Sequence, residues 1–186
     1  MTESRQEVFV SVDVETSGPI PGVYSMLSIG ACLVDRPETT FTALLQPISD
    51  AFDMDALAVT GMSLEELRIS GMTPDEAMTG FARWVEASAG PDATPVFVGF
   101  NAPFDWSFVN YYFHRFIGSN PFGFTALDIK ALYMGATCCD WSNTRSSRIA
   151  AHLKPELKGD HDALHDALYQ AELFRLIRQI TTVVRV

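Results

Sequence analysis

Apolar and polar positions along this chain fall into two rhythms, and the switches between them mark the elements. Over residues 7 to 14 the valines Val8, Val10, Val12 and Val14 alternate with Phe9, Ser11 and Asp13, a β-branched run that reads as a buried strand. Thr16 to Gly22, with Gly18, Pro19 and Pro21, is a turn-rich loop. Met26 to Val34 and Thr40 to Gln46 read as two further strands joined through Asp35, Arg36, Pro37 and Glu38 as a hairpin. The rhythm then becomes helical. Ser63 and Thr73 each stand three residues before a glutamate, the signature of a capping box, and Pro74 takes the first helical position of the second. That second helix carries Phe81, Trp84 and Val85 on one face and ends near Gly90 and Pro91. Pro95 to Phe100 is a short apolar strand of the kind buried on both faces, and Pro103 to Phe116 reads as a buried helix. A helix follows Asp128, a polar loop runs from Cys139 to Ser146, and a final helix occupies Asp162 to Ile180.

This order points to an α/β fold with a sheet of mixed direction. A chain of 186 residues, 47% apolar, is read as a single domain covering residues 1–186, with no internal repeat. It shows no apolar run of about 18 residues and no basic-then-apolar leader, so no membrane partner is expected and the expected location is cytoplasmic. Cys32, Cys138 and Cys139 have no zinc-type spacing and are odd in number, which favours reduced, structural thiols. The formal charge of −10 disfavours a protein that tracks along a duplex, because gripping a polyanion needs cations. It is compatible with holding a strand end or a short oligonucleotide, since several of the acids are candidate metal ligands.

Those acids carry the chemistry. Asp13 and Glu15 alternate along the first strand, so both carboxylates leave the same face, and such a like-charged pair is tolerated when a cation sits between them. Asp105 follows the apolar strand on the first turn of an aromatic helix. The helix dipole alone accounts for an acid there, but Phe100, Phe104, Trp106 and Phe108 around it point to a desolvated carboxylate that needs a partner. His161 and Asp166 open the last helix; five residues apart, they are not quite on one face, which places His161 at the helix mouth. A zinc pair of His161 and His165 is the rival arrangement, weakened by the lack of a third soft ligand. Asp128 reads as a helix cap rather than a ligand.

Asp13-x-Glu15, Asn101-x-x-Phe104-Asp105 and His161-x-Ala163-x-x-Asp166-Ala167, in this order and separation, resemble the three motifs of the DEDDh exonucleases, which include ribonuclease T, oligoribonuclease and the proofreading subunit of DNA polymerase III. Histidine five positions before the last aspartate sets the chain apart from the tyrosine-containing branch. Val59-Thr60-Gly61-Met62 resembles the family segment that packs on the terminal nucleotide, with Val59 where histidine or asparagine is common.

The resemblance implies a ribonuclease H-like fold, a mixed five-stranded sheet flanked by helices. It also implies an enzyme that hydrolyses single-stranded RNA or DNA from the 3′ end. Asp13, Glu15, Asp105 and Asp166 would hold two divalent cations, Mg²⁺ or Mn²⁺, with His161 as general base. Oxygen ligands select such hard ions, which can activate a water and stabilise a leaving 3′-oxygen, and an imidazole takes up a proton near neutral pH. Thr16, Met62, Leu64, Phe104, Arg145 and Arg148 are the candidate substrate contacts, the last two for phosphate; for Met62, Leu64 and Phe104 core packing is an equal alternative. Single-stranded 3′ ends or short oligonucleotides are the expected partners, and a homodimer is expected if the aromatic stretch Tyr111 to Phe113 is a subunit surface instead of core. Two other functions fit the acidic surface: a nuclease-derived module that binds without cutting, and a dinucleotide phosphodiesterase.

Overall fold

The structure, a computed structural model, describes residues 6–183. Strands β1 (Gln6–Thr16), β2 (Met26–Leu33), β3 (Arg36–Leu44), β4 (Ala93–Gly99) and β5 (Ala126–Asp128) form one sheet in the order β3-β2-β1-β4-β5. β1 pairs antiparallel with β2 and parallel with β4, so the expected mixed sheet is present with β1 at its centre. The hairpin is tighter than Pro37 predicts. Only Val34 and Asp35 turn, and β3 begins at Arg36 with Pro37 inside it. A proline fits there because β3 is an edge strand, where one backbone N–H need not be donated.

Alternation along β1 divides the core in two. Val10, Val12 and Val14 face a cluster with Phe81, Phe97 and Phe108, built on α3 (Pro74–Ala89) and α4 (Pro103–Tyr112). Phe9 faces the other cluster, with Phe174 and Ile177 of α7 (Ala163–Val183) and Ile129 of α5 (Ile129–Thr137). Each buried ring or branched side chain contributes about 2 kcal/mol from apolar surface removed from water. Tyr112 and Phe113 are fully buried, so the aromatic stretch is core at these two positions, and the Tyr112 hydroxyl accepts the Met26 N–H at 2.8 Å.

The capping signals hold. Ser63 accepts the Glu66 N–H at the start of α2 (Leu64–Ser70), and Thr73 and Glu76 make a reciprocal capping box on α3. Asp128 caps α5 by accepting the Lys130 N–H at 3.1 Å. Two helices lacked a readable pattern: α1 (Met54–Thr60), capped by Asp53, buries no residue, and α6 (Ser146–Leu153) buries only Ile149. The polar stretch before α6 contains a 3₁₀ turn, Trp141–Thr144, and the aromatic helix ends in a π-helical turn, Phe113–Ile117. No helix among the described residues is long and apolar enough to cross a membrane.

Candidate active site

Three elements converge at the C-terminal end of β1. Asp13 and Glu15 project from β1 toward the face covered by α7. The approach of α7 depends on Gly30, which lies opposite Asp13 in the β1–β2 register. A Cβ on Gly30 would stand 2.2 Å from the Ala163 carbonyl carbon, so only glycine lets the first turn of α7 rest on β2. That contact brings Asp166 over the strand. Asp105 enters from α4 and is 4% exposed, and its Oδ1 accepts the Val14 N–H at 3.1 Å, between the two β1 acids.

Asn101 and His161 both have left-handed backbone, with φ of 63° and 65°. At Asn101 this turns β4 into α4, a conformation asparagine tolerates. His161 is exposed in the loop just ahead of α7, as the five-residue spacing required. Ligand atoms of Glu15, His161 and Asp166 lie within 4.8 Å of one another. His165 is turned elsewhere, with Nδ1 3.0 Å from Asp160, and no group of metal-ligand type among the described residues includes it, so a His161–His165 zinc pair does not form.

The electrostatics of the cluster follow from burial and mutual repulsion. Burial, and then Asp105, Asp166 and Glu15, hold the Asp13 carboxyl well above the usual carboxylate range. Burial and then Asp166 push Glu15 up to about 7, and burial pushes Asp105 up to about 8 against the lowering effect of its backbone hydrogen bonds. Asp166 is raised by burial as well. Carboxylates crowded this way are stabilised as anions by a hard divalent cation, so the donor set fits such ions.

A pH dependence follows for the metal-free protein. Carboxyls whose folded pKa exceeds the unfolded value of about 4 bind more protons when folded, so their contribution is intact below about pH 4 and is lost progressively from there until pH has risen through the folded values of about 7 and about 8. The melting temperature in EDTA should fall across this interval, and the rise produced by Mg²⁺ should grow across it. A Mg²⁺ effect that does not vary with pH would count against this account of the cluster.

Gln170 joins the site beyond the residues the sequence motifs mark. Its Nε2 donates to Asp13 Oδ1 at 2.6 Å. The signal was available, for Gln170 stands four residues after Asp166 and so on the same face of α7. Outside the carboxylates lies a cavity of about 780 Å³ lined by Asp13, Phe100, Lys158, His161, Asp166 and Gln170, among others. Its loop wall is tied to α7, with Glu172 accepting the Glu156 and Leu157 N–H groups and Asp166 accepting that of Asp160.

The other sequence candidates are dispersed around this centre. Thr16 is buried, with its hydroxyl bonded to the Gly18 carbonyl. Phe104 is half-buried against Phe108, while Met62 and Leu64 are half-buried where α1 gives way to α2. Arg145 and Arg148 are exposed beside Ser146 and Ser147, two residues of the cavity wall.

The RNase T family model, described as exonuclease, matches residues 10–174, which takes in every motif above. The chain belongs to this exonuclease family. It is 59% identical over 176 residues to the 3′-5′ DNA exonuclease Cap18 of Escherichia coli, covering 95% of this chain and 94% of that protein. As an exonuclease of the DEDDh type it is an enzyme acting in the 3′-to-5′ direction, and the module that binds without cutting gives way to it. The nuclease domain of 3′hExo, a DEDDh family member, bound to rAMP superposes with a TM-score of 0.76 at 15% identity, covering 96% of this chain and 95% of that one. E. coli exonuclease I in complex with a dT13 oligonucleotide gives a TM-score of 0.73 at 17% identity over 97% of this chain, which spans 43% of that longer one. These likenesses show the ribonuclease H-like exonuclease fold, and the family as a whole depends on divalent metal.

Proposed function

We propose that this exonuclease trims single-stranded DNA from its 3′ end, releasing nucleoside 5′-monophosphates, with two divalent cations, Mg²⁺ or Mn²⁺, held by Asp13, Glu15, Asp105 and Asp166. The observation that carries this reading is the convergence of four carboxylates and one exposed imidazole at the end of β1. When bound, the cations would polarise the scissile phosphodiester and stabilise the charge gathering on the leaving 3′-oxygen.

The chain's own residues do the rest. Gln170 orients Asp13 through its 2.6 Å hydrogen bond, and the Val14 N–H fixes Asp105. His161 takes the proton from the attacking water, a role suited to an exposed imidazole on a loop that can adjust at the mouth of the cavity. Thr16, Met62, Leu64 and Phe104 are assigned to the terminal nucleotide, and Arg145 and Arg148 to phosphates further along the strand.

The choice of DNA rests on the named activity of the Cap18 relative, and its identity over nearly the whole chain supports it. Matched DNA and RNA strands and a dinucleotide, compared under one metal with products identified by mass, test it. We expect the DNA strand to be shortened at least about tenfold faster than RNA, a discrimination within reach of contacts that sense the 2′-hydroxyl. Equal rates would overturn the choice of DNA, and a preference for the dinucleotide would move the assignment to a dinucleotide phosphodiesterase.

A further inference from the structure

Resting on that reading, we propose that Trp141, with Lys130 and Phe100, forms a base-stacking and phosphate-holding platform for nucleotides upstream of the scissile bond. Phe100 lines the cavity together with Asp13 and His161, and so borders the proposed reaction centre directly. Lys130 reaches over it, its Nζ 5.9 Å from the Phe100 ring centroid and 4.4 Å from that of Trp141. Trp141 is 52% exposed, whereas Trp84 and Trp106 are packed against the core. An indole left open to solvent beside an active-site cavity, with a cation on it, offers the combination that single strands use without regard to sequence: a ring to stack on and a positive charge for the backbone.

The platform is built, not incidental. One oxygen of Asp128, Oδ1, accepts both the Asn101 N–H and the Lys130 N–H, each at 3.1 Å, which locks the end of β4 to the start of α5. Lys130 Nζ lies 3.4 Å from Asn101 Oδ1, so the side chain is steered toward the cavity side of its helix. The 3₁₀ turn that carries Trp141 leads straight into α6, whose Ser146 and Ser147 line the cavity wall.

Charge points the same way. Residues 129 to 159 hold five lysines and arginines against two acids, in a chain whose formal charge is −10. The segment is therefore less acidic than the chain as a whole, and its Lys158 lines the cavity. A strand whose 3′ end sits at the carboxylates would leave over Phe100 and Trp141 and keep its phosphates near Lys130 and Arg148.

The test compares steady-state hydrolysis of a DNA strand of about eight nucleotides with that of a dinucleotide by the wild type, Trp141→Phe and Trp141→Ala. For the longer strand, Trp141→Ala should raise KM about tenfold with kcat held within about twofold, and Trp141→Phe should restore most of the loss, in keeping with the strength of base–aromatic stacking. For the dinucleotide, which does not reach the platform, the KM change should be several-fold smaller. Equal KM changes for the two lengths, or none for either, would overturn the platform while leaving the exonuclease reading intact. If the wild type cleaved neither substrate, that reading would fail by itself. The platform would then be judged by tryptophan fluorescence: quenching by the longer strand that disappears in Trp141→Phe supports it, and quenching that persists or is absent in the wild type refutes it.

Discussion

Replacing Asp13 with asparagine should abolish exonuclease activity, with a loss of at least about a thousandfold, while making the metal-free protein more stable. The two effects share a cause. Asp13 is pressed by burial and by Asp105, Asp166 and Glu15, so a neutral side chain of the same shape relieves repulsion and can still accept the Gln170 hydrogen bond. The same change removes a charged ligand from the proposed cation site. Titration of Mn²⁺ by calorimetry, a melting curve in EDTA and a rate measurement would check all three consequences. A variant that melts lower in EDTA would mean that Asp13 is stabilising the fold. His161→Ala supplies the contrast. As a general base it should cost about a hundredfold or more in turnover with little loss of Mn²⁺ affinity, whereas a ligand would lose both.

The second large effect is expected from a residue with no functional group. Gly30→Ala should lower the melting temperature and reduce activity by about a hundredfold. The added Cβ would lie 2.2 Å to 2.3 Å from backbone atoms of Ala163 and Leu164, so neither side can yield by a rotamer change. The strand and the helix must separate, and Asp166 and His161 travel with the start of α7. Displacements of about 1 Å at a reacting centre cost about a hundredfold in rate. Thermal melting with and without Mg²⁺, alongside rate measurements, would check this. Full activity in Gly30→Ala would show that the site does not depend on that close approach.

How much of this was legible in the sequence can be traced residue by residue. The alternation of β1 put Asp13 and Glu15 on one face, and the structure keeps them on one strand end. Asp105 is recognisable from the aromatic residues around it in sequence, and it is buried, as they imply. Capping chemistry marked α2 and α3 because hydroxyl and glutamate act within a single turn, where sequence distance equals spatial distance. Pro37 misled the hairpin boundary, since its tolerance depends on β3 lying at the sheet edge, a tertiary fact. Helices α1 and α6 run for only 7 and 8 residues and bury at most one residue each, too short a stretch for apolar periodicity to stand out. Gly30 and Gln170 carry weaker signals. Gly30 matters through a contact across 133 residues of chain, which leaves no local pattern, whereas Gln170, whose contact spans 157 residues, is marked locally only by its place four residues after Asp166.

Aspects of the platform show the same division. The cationic character of residues 129 to 159 is visible as composition, but that Lys130 lies over Trp141 at the cavity edge is visible only in the fold.

The most direct measurement follows a single-stranded DNA labelled at its 5′ end, incubated with Mn²⁺ or with EDTA, using wild type and Asp13→Asn. The account predicts a ladder that shortens from the 3′ end with the wild type and metal only. An intact strand in that sample, or shortening that survives EDTA or the loss of the Asp13 carboxylate, would contradict it.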